Sequence, residues 1–112
     1  MNIEGEGYTV TYQDNTITIF GKLSLMLEDY EDIEVFFKNI VIAEPEELTL
    51  DIRNLEYLNS AGIKIICVNL ILEAAVIGGM GMKILCSNRY TWQRETVPTF
   101  KGLMNNMQIL FE

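Results

Sequence analysis

The sequence describes a small acidic chain of 112 residues, of which 49% are apolar, with 16 acidic side chains against 8 basic ones and a net charge of −8. This balance predicts a folded globule and excludes disorder and binding to the nucleic-acid backbone. Histidine is absent, which removes the usual catalytic base and the commonest zinc ligand. We therefore expect no enzyme, no catalytic residue, no metal site, no cofactor and no nucleic-acid partner.

The cysteines and the apolar stretches indicate in which cellular compartment the protein is expected. Cys67 and Cys86 lack the spacing of a metal or redox pair, and each lies in an apolar run, so we expect buried, reduced thiols. The first residues carry no basic, apolar leader. The longest apolar stretch, residues 65–77, is shorter than the about 20 residues that a membrane span needs. These features predict a cytoplasmic protein without a membrane segment.

The first half of the chain predicts a hairpin, a helix and a strand. Segments 8–12 and 16–20 alternate β-branched and aromatic residues with others, and the QDN between them favours a turn. A helix follows, with acidic residues on its solvated face and apolar residues at positions 26, 30, 33, 37, 40 and 41. Residues 48–52, LTLDI, predict a short buried strand.

The second half predicts two more helices and two more strands. An apolar helix runs from Asn59 or Ser60 to Gly78-Gly79, followed by the strand MKILC, a helical turn over 90–94, a helix near Pro98 and the strand QILF. The order β-β-α-β-α-β-α-β predicts a single α/β domain over residues 1–112. Right-handed crossovers give a mostly parallel sheet, with the N-terminal hairpin at one edge and the helices packed against the sheet.

The segment Leu58-Asn59-Ser60-Ala61-Gly62 separates the buried strand from the apolar helix. Either Asn59 or Ser60 can cap the helix with a side-chain oxygen, and Gly62 allows a backbone or a bulky ligand to come close. The free N–H groups and the positive end of the helix would also stabilise a phosphoserine at Ser60. The spacing alone leaves both the cap and the phosphorylation site open.

The apolar helix lacks a polar side. At α-helical spacing, its core side comprises Ile63, Ile66, Cys67, Leu70, Ile71, Ala74 and Ile77. We interpret the opposite side as a surface that binds a partner protein, formed by Lys64, Ile65, Val68, Asn69, Leu72 and Val76. The alternative is that this side packs on the C-terminal helix or forms a homodimer.

The strand, turn and helix around Ser60 resemble those of a known family. The stretch LTLDIRNLEYLNSAGIKII, supported by GGMGMKILC after the helix, is similar to the STAS domain of bacterial anti-sigma factor antagonists and sulfate transporters. The element order agrees over essentially the whole chain. The segment YTWQRETVPTFKGLM further resembles a subgroup of small bacterial STAS-like regulators, seen notably in cyanobacteria.

The resemblance implies a regulatory switch. In the antagonists, the serine of this turn is phosphorylated by a partner with a histidine-kinase-type ATPase fold, and the unphosphorylated form docks on that partner. Ser60 takes the acceptor position and Gly62 the conserved glycine position, whereas Asn59 stands where the family usually has Asp. The implied partner is thus an anti-sigma factor or serine kinase of that fold. The lost charge at Asn59 implies that phosphotransfer is slowed, altered or lost while docking survives.

The sequence is also compatible with other functions. The Asn59 to Gly62 turn could receive the phosphate of a nucleotide or lipid, although it lacks a glycine-rich cradle. The chain could also be a structural dimerisation domain. An enzyme would need a base for Ser60, and only Asp51 and Glu56 are acids near it in sequence.

Overall fold

A computed structural model describes residues 2–112, in which seven strands form one mixed sheet. The strands are β1 Asn2–Gly5, β2 Tyr8–Gln13, β3 Thr16–Leu23, β4 Glu47–Asp51, β5 Leu55–Leu58, β6 Gly81–Cys86 and β7 Met107–Phe111. Their spatial order is β1-β2-β3-β4-β6-β7, and β5 pairs with the last residues of β3. The pairs β1-β2 and β2-β3 are antiparallel and all others parallel, which confirms the predicted mostly parallel sheet.

Two strands were not predicted. β1 pairs outside the hairpin of β2 and β3, so β1 rather than the hairpin itself forms that edge. β5 extends the sheet beside β3 just before the turn that contains Ser60. The predicted turn segment is therefore held on its N-terminal side by strand pairing.

Three helices connect the parallel strands. Helix α1, Glu31–Ile42, follows a 3₁₀ turn over Leu27–Tyr30; helix α2 runs from Ser60 to Ile77; and helix α3, Thr91–Thr96, continues into the 3₁₀ helix Val97–Leu103. Gly78 and Gly79 both have a φ of 75°, which ends α2 where the sequence predicted.

The helices cover only one face of the sheet. Because successive side chains of a strand point to opposite faces, Ile17 and Ile19 enter the core while Thr18 and Phe20 remain on the other side. The same alternation repeats in β4, where Leu48 is buried. The buried apolar residues of α1, of α2 and of the 3₁₀ helix after α3 join these strand residues in one apolar core.

Helix α2 is long and apolar enough to span a bilayer by length and composition alone. Within the fold it connects β5 to β6, and its inner side packs in the core through Ile66, Leu70, Ile71 and Ala74. A helix whose inner side packs in the core of a globular protein can be as long and as apolar as one that spans a bilayer.

Candidate functional site

Asn59 is the residue that caps α2. Its Oδ1 accepts a hydrogen bond from the Gly62 N–H at 2.9 Å, and its own backbone is extended, as an N-cap requires. Ser60 is the first residue of the helix and is exposed. Of the two predicted capping residues, Asn59 takes the role and leaves the Ser60 hydroxyl without a hydrogen bond to residues 2–112.

A ring of hydrogen bonds holds Asn59 in place. The Tyr30 hydroxyl donates to Asn59 Oδ1 at 2.6 Å, Asn59 Nδ2 donates to the Leu25 carbonyl at 2.7 Å, and the Leu25 N–H donates to the Tyr30 hydroxyl at 3.4 Å. Tyr30 is buried, and burial raises the pKa of its hydroxyl despite the Leu25 N–H. The hydroxyl therefore stays protonated and available as a donor to Asn59.

This ring gives a structural reason for asparagine where the resembling family has aspartate. Asn59 acts as acceptor and donor at once, through Oδ1 and Nδ2. A carboxylate here would keep the cap but place an oxygen against the Leu25 carbonyl, and both atoms would then be acceptors. The position is thus adapted to a neutral amide.

Gly62 makes room for the protein's own side chains. A Cβ at this position would lie 2.4 Å from Leu58 Cδ1 and 2.6 Å from the Tyr30 hydroxyl oxygen. Both Gly62 and Leu58 are buried. The expectation that Gly62 admits a foreign backbone or bulky ligand is therefore wrong, because Leu58 and Tyr30 already occupy that space.

The start of α2 retains free hydrogen-bond donors. The N–H groups of Ser60 and half-buried Ala61 precede the first intrahelical bond and have no partner among residues 2–112. The first turn contains no acidic residue, and Lys64 lies one turn further on. An anion at Ser60 would thus meet two donors and the positive end of the helix.

The outer side of α2 is apolar and accessible. Val68 and Leu72 are exposed, Val76 has 83% of its surface exposed, and Lys64 and half-buried Asn69 accompany them. We call Lys64, Val68, Asn69, Leu72 and Val76 the outer surface of α2. Since these residues are not covered, the alternative that the C-terminal helix packs on them is wrong. The other alternative, a homodimer through this side, is an open prediction.

Ile65 does not belong to this surface. It is only 4% exposed, whereas Ile77, expected in the core, is 37% exposed. The reason is a π-helical segment over Ile66–Leu72, in which each backbone hydrogen bond spans five residues instead of the four of an α-helix. The buried pairs Ile65-Ile66 and Leu70-Ile71 are consequently five residues apart. An α-helical pattern could not reproduce that spacing, so the assignment of Ile65 was wrong.

Three exposed apolar side chains near Ser60 were missed. Leu25 bonds to Asn59, which places Met26 and Leu27 beside the start of α2; both are exposed, Met26 by 65%. Tyr57, on β5, is 49% exposed. The helical spacing predicts Met26 on the buried side of the first helix, and this prediction is wrong. We call Met26, Leu27 and Tyr57 the apolar rim of the Ser60 turn.

A groove lies between α1 and α2 beside the outer surface of α2. Its volume is about 610 Å³, and it is lined by Glu31, Glu34, Val35, Lys38, Asn69 and Glu73. Val35 contributes an exposed apolar side chain, and three of the six residues carry carboxylates. A molecule that covers α2 on this side would therefore meet negative charge around an apolar centre.

A second amide network lies at the ends of β4 and β6. Gln93, wholly buried on α3, donates through Nε2 to the carbonyls of Ile52 at 2.7 Å and Leu55 at 3.0 Å, and its Oε1 accepts from the Ser87 N–H at 2.8 Å. The Trp92 indole N–H also donates to the Leu55 carbonyl, at 3.2 Å. This network closes the loop before β5 against the core.

An ion pair flanks the second network at the sheet surface. Arg53 contacts Asp51 at 2.9 Å and Glu112 at 3.2 Å. Burial alone would raise the pKa of the Asp51 carboxyl, but the hydrogen bonds and charge of Arg53 outweigh burial and lower that pKa below 3.8. The pair therefore stays ionised at neutral pH.

Neither cysteine has a reactive setting. Cys86 is buried as expected, whereas Cys67 is only half-buried. Burial raises the pKa of both thiols, that of Cys86 to about 12. Both are therefore thiols rather than thiolates at neutral pH.

Comparison with known proteins identifies the fold. No protein-family model matches the sequence, and no curated protein matches it. Among solved structures, an anti-sigma factor antagonist from Mycobacterium paratuberculosis is similar over 90% of this chain and 83% of its own, with 15% identity and a TM-score of 0.61. A structure of the diguanylate cyclase SiaD in complex with its activator SiaC, from Pseudomonas aeruginosa, is similar over 100% of this chain and 99% of the matched chain, with 19% identity and a TM-score of 0.70. The antagonist is a STAS protein and SiaC has a STAS-like fold. The chain therefore has the STAS-like fold that its strand-turn-helix motif predicted.

Proposed function

We propose that this chain is a non-catalytic regulatory protein that binds a partner protein through the outer surface of α2, and that phosphorylation of Ser60 controls this binding. One observation carries the proposal. The exposed hydroxyl of Ser60 lies at the donor-rich start of α2, between the outer surface of α2 and the apolar rim of the Ser60 turn. The two similar structures support it, since one is named an antagonist and the other contains an activator.

The docking part of the proposal rests on exposed apolar side chains. Val68, Leu72 and Val76 lie on the side of α2 that faces away from the core, and the rim adds two aliphatic side chains and one aromatic side chain. Single exposed apolar residues are ordinary, but several along one side of a helix, with three more near its start, are typical of a protein-binding surface. Covering this set would remove apolar area from water and stabilise the complex.

The switching part rests on electrostatics. A phosphate on Ser60 adds about −1.5 to −2 charges, and the free N–H groups of Ser60 and Ala61 stabilise it in the unbound protein. In the complex the same phosphate would lie at the margin of an apolar contact and lose part of its hydration. Without a positive group on the partner, this desolvation disfavours binding. Phosphorylation is thus expected to release the partner.

The proposed partner is an anti-sigma factor or a serine kinase with a histidine-kinase-type ATPase fold. This identity follows from the resemblance of the Asn59-Ser60-Ala61-Gly62 turn to that of the antagonists. A second candidate is an enzyme that the chain activates. It is favoured by the SiaC–SiaD structure, because that match covers 100% of this chain. We place the protein in the cytoplasm in either case.

A site for a small phosphate-bearing ligand is less well supported. The Gly62 N–H is already bonded to Asn59 Oδ1, and the space above Gly62 is filled by Leu58 and Tyr30. The turn can thus accept a phosphate attached to Ser60 from outside, but it offers no cavity for a nucleotide base or a lipid tail at Gly62.

The test is affinity capture from the native cytosol with five versions of the chain. We expect the parent and Ser60→Ala to retain a common protein that Ser60→Asp and Leu72→Glu lose. Phe20→Glu is the matched control, since Phe20 is exposed on the open face of the sheet, away from α2. Phosphopeptide mapping of the uncaptured parent should place phosphate on Ser60. Equal capture by parent and Leu72→Glu, or phosphate only at other residues, would contradict the proposal.

A further inference from the structure

We infer that β7 of one chain pairs antiparallel with β7 of a second copy, so that one sheet continues across a twofold dimer. This interface lies at the sheet edge, away from the outer surface of α2, and the inference does not rest on the proposed function. It comes from the hydrogen-bonding pattern and the side chains of the last strand.

The outer edge of β7 is open. β7 pairs with β6 alone, and three of these bonds are Met82 N–H to the Asn106 carbonyl, Glu112 N–H to the Cys86 carbonyl and Asn88 N–H to the Glu112 carbonyl. The even-numbered residues of β7 thus face β6. By alternation along the strand, the peptide groups of Met107, Ile109 and Phe111 point outward and have no partner within residues 2–112.

The two edges of the sheet differ in how they are protected. β1, at the opposite edge, carries Glu4 and Gly5 and is followed by Glu6, and such charges and glycines discourage pairing with another strand. β7 reads MQILF, with no charge, proline or glycine, and pairs with β6 without a register shift. Of these two edges within residues 2–112, β7 alone has the features of an edge suited to strand pairing.

The open edge of β7 is complementary to itself. In an antiparallel pair with Ile109 opposite Ile109, Met107 falls opposite Phe111, and all outward peptide groups of both chains find partners. If one β7 strand is moved by two residues relative to the other, one of its three outward-facing residues no longer has a residue of the partner's β7 opposite it. In the centred register Glu112 lies opposite Asn106, so that the two Glu112 carboxylates are not opposed despite the charge of −8 per chain.

The side chains favour the same register. Ile109 and Phe111 are only half-buried, because no further strand lies beside them on the helix-covered side of the sheet. In the dimer, Ile109 packs on its own copy and Phe111 on Met107. Five residues on each side form an interface below the about 1,200 Å² of a standard complex, so a dimer in exchange with monomer is expected.

The test is sedimentation of the isolated chain between about 10 µM and about 1 mM, the range of weak association. We expect a concentration-dependent shift from monomer to dimer. Ile109→Lys places like charges opposite each other and should weaken dimerisation at least tenfold. Leu110→Lys is the matched control, because Leu110 is partly exposed on the open face and lies opposite Gln108. Its dimerisation should stay within about threefold of the parent.

Hydrogen exchange of the unmodified chain provides a readout that does not depend on folding of a variant. In the dimer, the amides of Met107, Ile109 and Phe111 should become more slowly exchanging as concentration rises, while Gln108 and Leu110 stay unchanged because β6 protects them already. A monomer at the highest concentration, or a dimer in which the three amides exchange independently of concentration, would overturn the inference.

Discussion

Two side-chain amides organise two turns of this molecule, with different results. Gln93 is wholly buried and satisfies backbone groups that would otherwise be left in the core, whereas Asn59 is half-buried and fixes a turn that projects Ser60 into solvent. Each amide donates to a carbonyl and accepts from an N–H. The same chemistry therefore closes the interior in one place and presents a hydroxyl in the other, and the difference lies in burial.

The largest effect is expected where the amide is buried. Gln93→Glu replaces the Nε2 donor by an oxygen that faces the carbonyls of Ile52 and Leu55. We expect a loss of about 4 kcal/mol at pH 7, because a buried acid must either ionise without a partner or take up a proton. Chemical denaturation measures the loss.

The pH dependence of this variant gives a sharper check. Burial raises the pKa of the new carboxyl above the about 4.3 of the unfolded chain, so its protonated form is favoured in the fold. Relative to the parent, the variant should be least destabilised below about pH 4.3 and lose stability as pH rises toward the folded-state pKa. A loss of stability that does not depend on pH would show that the new carboxyl is accessible to water.

Gly62→Ala tests the packing beneath the Ser60 turn. The new methyl would lie 2.4 Å from Leu58 and 2.6 Å from the Tyr30 hydroxyl, so both must move. We expect a loss of about 2 kcal/mol, typical of overpacking. Gly102→Ala is the control, since a Cβ there meets nothing within 4 Å. Equal melting temperatures for the two variants would contradict the tight packing at Gly62.

Asn59→Asp makes the same amide-to-acid change in the half-buried network. The bond to the Leu25 carbonyl is lost, but the cap to Gly62 and the favourable helix dipole remain. We expect a loss of about 1 kcal/mol at pH 7, clearly smaller than that of Gln93→Glu. Denaturation of both variants in one buffer measures the difference. A larger loss of stability for Asn59→Asp than for Gln93→Glu would contradict the comparison between the two networks.

The smallest effect concerns the ion pair beside the Gln93 network. Arg53 lowers the pKa of Asp51, so the ion pair stabilises the fold above pH 3.8. This stabilisation is lost as the pH falls through the lower pKa that Asp51 has in the folded state. Arg53→Gln should cost less than about 1 kcal/mol at pH 7, because the pair is partly exposed. Stability curves of parent and variant should converge in acid; a constant gap would assign the effect to packing.

Much of the fold could be predicted from local sequence patterns, whereas the hydrogen-bond networks around Asn59 and Gln93 could not. Gly78-Gly79 marked the end of α2 and LTLDI marked β4, because chain termination and strand propensity are local properties. β5 lacked a clear alternation and exists because β3 offers it a free edge. The burial of Ile65 goes with the π-helical segment over Ile66–Leu72, which the α-helical spacing used in the prediction does not include.

The candidate site was predicted in part for the same reason. The position of Ser60 at the helix start and Asn59 as a possible cap followed from sequence, but the hydrogen bonds that hold Asn59 involve Tyr30, 29 residues away. Gln93 gave no signal, because its carbonyl partners Ile52 and Leu55 lie 41 and 38 residues away. Met26 was misplaced, because the turn at Leu25 rather than the helical period sets its direction.

The most direct measurement of the proposed switch is the dissociation constant of the captured partner protein for the parent chain and for Ser60→Asp, in one buffer at one ionic strength. We expect binding to be at least tenfold weaker for Ser60→Asp, equivalent to about 1.4 kcal/mol, and unchanged for Ser60→Ala. Equal affinities for the parent and Ser60→Asp would contradict it.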